Sequence, residues 1–359
     1  MAETAARDAP RGGNAATRLA ARIELTKLAH ELDLGLDEVA FLADADPDDL
    51  RRFRTDVAER LFARHADRFA RIAHLSSLVP VTIAARAAQH AVGPLVSARI
   101  AGSLPPTEAV RLARRLPADF LAEVCLTLDP DRVRGIVADL DVELVAQIGR
   151  LLLERGEHVV LGRFVSVVPT ASALAVVDGA DPGDLLRAAL FADDRSVLPA
   201  LVDGLDDDVL VAVVEHAHAT DAHLDALTLV TSLDPGARAR VVGVVAGLPA
   251  DRAAGFLAAV AEIDAWRELL PALGALDDGA LRALVNVPAT TDPTVLDAVL
   301  RTGRELDLAP TLLRVLHALD EEHLAALRGA PALADADVRR WLERHDDGDD
   351  RLTALLQAS

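Results

Sequence analysis

The sequence predicts an all-α protein: a solenoid of short stacked helices, with an N-terminal helical cap and a C-terminal, less regular helical array. Three observations predict it. Apolar residues recur at spacings of three and four, Ala and Leu abound, and alternating Val/Ile/Thr runs are missing. Helix starts are written in strings such as Leu-Asp-Pro and Leu-Pro-Ala-Asp. There Asp offers an N-cap oxygen, and Pro suits a first turn whose N–H has no partner anyway. A unit of twelve residues also repeats without gaps in the middle of the chain.

Composition limits the function classes. With 359 residues, 51% of them hydrophobic, and a mean hydropathy of +0.24, the chain can bury enough apolar surface to fold. Acidic residues number 57 against 37 basic ones, a net charge of −20. The one cysteine, Cys125, makes neither an internal disulfide nor a zinc site, so a reducing, cytoplasmic location is expected. Aromatics are 3%, Tyr is absent, and Lys27 and Met1 are the only Lys and Met, which leaves little for base stacking or lysine chemistry. The first twenty residues have no apolar core and read as no secretory signal. The weakly charged run 159–177 carries Arg163 and Pro169, so it reads as two short buried helices rather than a membrane span.

Residues 1–16 read as a disordered tail, and 17–100 as the N-terminal helical region. Its first helix is expected over 17–34, anchored by Ile23, Leu25, Leu28 and Leu32, with a stop at Gly35 and a new start at Asp37. A long helix is expected over 47–78. Arg60, Arg64, Arg68 and Arg71 share one of its faces; Phe53, Val57, Leu61, Phe62, Phe69 and Ile72 form the apolar side. Residues 51–115 hold 12 Arg against four acids, a local excess of +8 in an acidic chain. The basic face is a candidate partner surface for an acidic protein or an anionic membrane. Equally, it can dock on the acidic remainder of the same chain. Nucleic acid is not expected, because the whole chain is acidic and offers few aromatics for stacking.

Residues 101–180 carry the repeat. Leu104, Leu116, Leu128 and Leu140 are twelve apart, each followed by Pro or Asp. Five residues on stand Ala109, Leu121, Val133 and Val145; eight on, Leu112, Val124, Ile136 and Ile148; nine on, Ala113, Cys125, Val137 and Gly149. Each unit is a two-turn helix, too short to persist alone in water, so neighbours must stabilise it by stacking. The same grammar returns at Leu205-Asp206, Leu233-Asp234, Leu248-Pro249, Ile263-Asp264, Leu276-Asp277 and Leu319-Asp320, at wider spacing. That spacing predicts longer, HEAT-like paired helices over 181–345. Residues 346–359, with the run HDDGDD, read as an acidic frayed tail.

The units between Leu104 and Leu151 resemble the intracellular N-terminal domain of MgtE-type magnesium transporters. The resemblance implies a right-handed superhelix of short helices. In that family the domain precedes a CBS pair and a membrane domain, and its acidic residues help sense magnesium. No CBS-like strand–helix alternation or membrane domain is read here, so transport is not implied and no functional residue is carried over.

Arg155, Glu157, His158 and Arg163 break the repeat and flank an apolar run, so they are candidates for the mouth of a pocket for an apolar small molecule near residues 155–177. An Arg–Glu ion pair closing a turn is the alternative there. His216, His218 and His223, with Glu215 and Asp221, are the metal candidates, but His216 and His218 lie about 200° apart on a helix and no metal is expected. Cys125 falls in a small-residue column and is expected to be packed and inert. No nucleophile motif, phosphate loop or cofactor fingerprint is present, so neither catalysis nor a cofactor is expected. The expected function is a non-catalytic cytoplasmic interaction or regulatory module binding another macromolecule, a protein first. A carrier or sensor of an apolar molecule is the alternative, and a divalent-cation (magnesium) sensor the second.

Overall fold

The computed structural model describes residues 15–64, 66–345 and 350–357, and their regular structure is all helical, with no strand among them. They form two compact units that part between residues 64 and 65.

In the first unit α1 (Ala15–Leu32) packs on α2 (Pro47–Ala63) and on a 3-10 segment, Leu36–Leu42. Gly35 opens that segment and donates its N–H to Glu38 at 2.8 Å. Asp46 accepts the Asp48 N–H at 2.9 Å, and Pro47 follows as the first residue of α2. Leu25, Leu28, Ala29, Val39 and Leu50 form the small core, with Ile23 also buried and Leu32 packed against it.

The helix expected over 47–78 is two helices, α2 and α3 (Ala66–Ser77), and they belong to different units. Arg60 stands in the last turn of α2 and Asp67 in the first turn of α3. A cation at a helix C-terminus and a carboxylate at the next N-terminus each suit the end of a separate helix dipole. Of the expected apolar side, Phe53, Leu61 and Ile72 are exposed, whereas Val57 and Phe69 are half-buried. The Phe62 side chain lies outside the described residues.

The second unit continues with α4 (Val81–Ala87), which runs into a π-helical turn (Ala88–Val92), α5 (Pro94–Ala101), α6 (Pro106–Ala113), α7 (Ala118–Cys125), α8 (Pro130–Ala138) and α9 (Val142–Glu154). The helices α6 to α9 each start two residues after the repeat leucines at 104, 116, 128 and 140. Then come α10 (His158–Val165), α11 (Thr170–Val177), α12 (Pro182–Leu190), α13 (Leu198–Gly204), α14 (Asp207–Ala219), α15 (His223–Val230) and α16 (Pro235–Ala246). Next are α17 (Ala250–Ile263), α18 (Trp266–Leu273), α19 (Asp278–Val285), α20 (Pro293–Glu305), α21 (Ala309–Ala318), α22 (Glu321–Arg328), α23 (Ala336–Arg344) and α24 (Asp350–Gln357). Most helices pack on the helix two places further on: α4 on α6, α5 on α7, α7 on α9, α10 on α12, α14 on α16, α18 on α20. The core is accordingly divided along the chain into clusters spanning residues 109–167, 186–256 and 246–356.

Asp punctuates these helices in two ways. Asp129, Asp181, Asp234 and Asp292 each precede a helix-opening Pro and accept a backbone N–H of its first turn. Asp33, Asp221, Asp264 and Asp307 do the opposite: each just follows a helix end in the left-handed region, at φ between 53° and 56°. There a short polar side chain replaces the usual glycine. Ile263-Asp264, expected from its composition to be a helix start, is therefore the end of α17.

Arginine cross-links the array. Arg314 on α21 donates to the Gly274 and Leu276 carbonyls at 2.8 and 2.7 Å, closing the end of α18, and to Asp278 at the start of α19. Arg240 does the same for the Val202 and Leu205 carbonyls and Asp207, and Arg114 for the Asp139 carbonyl and Asp141. A planar guanidinium, with its donors spread over a rigid fork, serves two carbonyls and a carboxylate at once.

The C-terminal segment expected to fray is helical from Asp350, and Leu352, Leu355 and Leu356 join the last core cluster. Of that expected tail, residues 346–349 and 358–359 lie outside the described residues, and burial of three apolar side chains holds the described part on the core. The tail expected over 1–16 lies outside the described residues up to 14; Ala15 and Ala16 already belong to α1.

Candidate functional site

The inner surface of the second unit does not close. A central cavity of about 270 Å³ lies among α7 to α16, walled by residues such as Val145, Leu152, Phe164, Val177, Leu201 and Val230. Every residue lining it is aliphatic, Phe, Gly or the single Cys. A second cavity, about 370 Å³, lies among α3 to α10 and shares Cys125, Val137, Leu140, Ile148 and Phe164 with the first. A third, about 110 Å³, runs on to α21 and shares Ala226, Val230 and Val241 with the central one. Three adjoining apolar spaces thus follow one another along the unit.

The wall of the second cavity is the repeat itself. Leu104, Leu116, Leu128 and Leu140 all line it, as do Ala109, Leu121 and Val133 from the next column and Leu112, Val124, Ile136 and Ile148 from the one after. The sequence assigns these columns to packing between helices; the structure adds that they also face a common space. The poverty in aromatics is the signal that was there to use. The inner columns are aliphatic throughout and leave volume that Phe or Trp could have filled.

Polar groups are nearly absent from the three walls. Ser97 is the only one in the second cavity, and its hydroxyl is buried without a hydrogen-bond partner. Thr290 in the third bonds its own backbone, at the Val285 and Val287 carbonyls. Cys125 lies where the first two cavities meet, and burial pushes its thiol up to about 12. It stays protonated at neutral pH, which suits an inert residue.

Of the expected pocket, the apolar walls are found and the polar mouth is not. Leu161, Phe164, Val165 and Val168 line the central cavity; Arg155, Glu157, His158 and Arg163 line none of the three. Three of them pair with acids elsewhere in the unit instead. Arg155 reaches Asp119 on α7 at 3.3 Å, His158 Nε2 lies 2.8 Å from Asp184 on α12, and Arg163 is 3.5 Å from Asp193. Glu157 precedes α10 without capping it. At Asp184 burial acts to raise the carboxyl. Hydrogen bonds from Arg187 and His158, together with their charge, outweigh it and hold Asp184 below the ordinary carboxylate range.

The histidines divide. His218 Nδ1 and His223 Nε2 face each other at 3.3 Å, and His223 Nδ1 lies 3.1 Å from Asp221. His216 instead lies against Gly183 at the start of α12. Glu215 is taken by Arg252 at 2.8 Å. Among the described residues no three His, Cys, Asp or Glu side chains converge on a point a metal could occupy. Of the basic candidates, Arg60 and Arg64 are exposed in the first unit, Arg68 and Arg71 in the second, and none of the four forms an ion pair among the described residues. No described helix is long and apolar enough to cross a membrane, and 159–177 is the pair α10 and α11, broken at Pro169.

No family model, curated protein or solved structure matches the chain.

Proposed function

We propose that this protein is a non-catalytic, cytoplasmic carrier or sensor of an elongated apolar small molecule, such as an acyl or isoprenoid chain, held inside a superhelical stack of short helices. One observation carries the reading: adjoining cavities of about 270 and 370 Å³ whose walls are apolar but for Ser97. Small-molecule sites run from about 300 to 1,000 Å³ and are mostly apolar, with few polar groups to orient the ligand. Each methylene moved from water into such a space contributes about 0.8 kcal/mol, so a ten-carbon chain would gain roughly 8 kcal/mol before the costs of ordering. The next-but-one packing and the twelve-residue units support the superhelical path, as does the resemblance of residues 104–151 to the MgtE-type domain.

Native mass spectrometry of the freshly purified protein, followed by denaturing spectrometry and organic extraction, tests the reading against the 38.0 kDa chain. Excess mass that vanishes on denaturation and reappears in the extract as an apolar compound is expected, and Ala189→Phe, which adds bulk to the central cavity, should lower its occupancy. Bare protein with an empty extract would overturn the carrier reading and leave the interior to a segment of another macromolecule.

A further inference from the structure

We infer that the α3–α5 end of the second unit docks on an anionic lipid bilayer. Exposed large apolar side chains are concentrated there. Among the described residues of the second unit, only Val142 and Val211 are exposed large hydrophobics outside this end, whereas Ile72, Leu75, Leu78, Ile83, Leu95 and Val96 are all exposed within it. Leu75 and Leu78 stand out, with 62% and 71% of their surface in contact with solvent. A cluster of this kind on a unit otherwise well covered marks a surface that meets something apolar.

Charge selects the occupant. Residues 66–101 contain four arginines, Arg68, Arg71, Arg86 and Arg99, against the single acid Asp67, in a chain whose net charge is −20. Arg68, Arg71 and Arg86 are exposed and form no ion pair among the described residues, whereas Arg114, Arg132 and Arg134 further along each hold a carboxylate. Aliphatic side chains interspersed with arginine are what an interface of acyl chains and anionic headgroups accepts. The strongly acidic remainder is repelled by the same surface, so the field of the molecule presents this end to the bilayer.

The same end is where the series of cavities begins. Ile72, Val79 and Ile83 are both exposed and part of the wall of the second cavity, so an acyl chain leaving the bilayer would meet a continuous apolar surface leading to Leu104 and Cys125. The docking stands on the surface alone; this loading step rests on the carrier reading.

Flotation of the full-length protein with vesicles tests the docking, comparing pure phosphatidylcholine with phosphatidylcholine carrying about 30% phosphatidylglycerol. Flotation with the anionic vesicles only is expected, weakening as salt is raised. Leu75→Asp/Leu78→Asp and Arg68→Glu/Arg71→Glu should each weaken it by about tenfold or more, while Val211→Asp, at an exposed position of α14, leaves it unchanged and all variants keep the thermal transition of the parent. Absence of flotation, or flotation equal for Leu75→Asp/Leu78→Asp and the parent, would overturn the docking. So would a dimer of the parent that Leu75→Asp/Leu78→Asp converts to monomer without any vesicle binding, which would assign the patch to a second copy. Extractable ligand without flotation removes the docking and leaves the carrier; flotation with an empty extract does the reverse.

Discussion

Arg54 on α2 donates from Nε to Oε2 of Glu24 on α1 across 3.2 Å, and both side chains are buried. The other oxygen of Glu24 accepts from Lys27, the only lysine of the chain, at 2.9 Å, and Lys27 is 1% exposed. One carboxylate therefore holds two cations inside the small core of the first unit.

Removing Glu24 leaves both cations without that carboxylate in an apolar setting, and breaking a buried pair in this way costs about 3–5 kcal/mol. Glu24→Leu should abolish slow amide hydrogen exchange in residues 15–64 while leaving exchange in α6–α9 unchanged. The triple change Glu24→Leu/Lys27→Met/Arg54→Leu should cost less than Glu24→Leu alone, because the two cations that Glu24 holds are removed together with it. Equal loss in the two variants would contradict this account.

The lowered carboxyl of Asp184 makes a statement about acid stability. Its folded value lies below the unfolded one, so its contribution is fully present above about pH 4 and is lost as pH falls through the lowered folded value. Asp320 and Asp335, lowered first by the backbone N–H groups they cap, act in the same direction. The melting temperature of the parent should thus fall steeply below about pH 4. Asp184→Asn should melt lower than the parent at pH 7 and converge with it in acid. Parallel curves would show that the His158 and Arg187 contacts add nothing.

Gly162 and Gly135 predict opposite signs for the same substitution. A Cβ at Gly162 in α10 would stand 2.5 Å from the Phe191 Cβ and 2.6 Å from its carbonyl carbon, and backbone cannot step aside. Gly162→Ala should cost about 1–3 kcal/mol by overpacking. At Gly135, inside α8, the nearest atom is on Pro106 at 3.8 Å, so Gly135→Ala meets no obstacle and should gain about 0.5–1 kcal/mol from helix propensity. Urea denaturation of the two variants beside the parent measures both.

With its thiol at about 12, Cys125 has about one molecule in ten thousand ionised at pH 8. Its reaction with a charged disulfide reagent should be slower in the native protein than in urea by a factor of about a thousand or more. An apolar reagent that partitions into the cavities Cys125 lines should label it faster than the charged one does. Equal native rates for the two reagents would show that the cavities do not admit apolar molecules.

Most of the helical grammar is legible in the residues themselves. The starts of α6, α7, α8 and α9 follow from Leu-Pro and Leu-Asp at a twelve-residue spacing, because N-capping and the fixed φ of proline are local effects. Asp264 departs from expectation for a related reason. An Asp before a helix and an Asp after one look alike in sequence, and only φ at 53° separates them. The long basic helix fails because spacing alone carries Arg60, Arg64, Arg68 and Arg71 onto one face, whereas the chain divides between them at residues 64 and 65.

The pocket is half legible. The apolar run that walls the central cavity stands out in the sequence, but not that Arg155, His158 and Arg163 are spent on Asp119, Asp184 and Asp193, the first two of them on other helices. The sequence by itself determined that the protein is all-helical, where most helices begin, and which columns turn inward, since these follow from propensity, capping and period. Only the tertiary structure decided that those columns leave a space between them, that Arg314 closes α18 from 40 residues away, and that apolar side chains around Leu75 and Leu78 stay in solvent. Those depend on which helix lies beside which, a relation set by volume and long-range contact that local spacing does not encode.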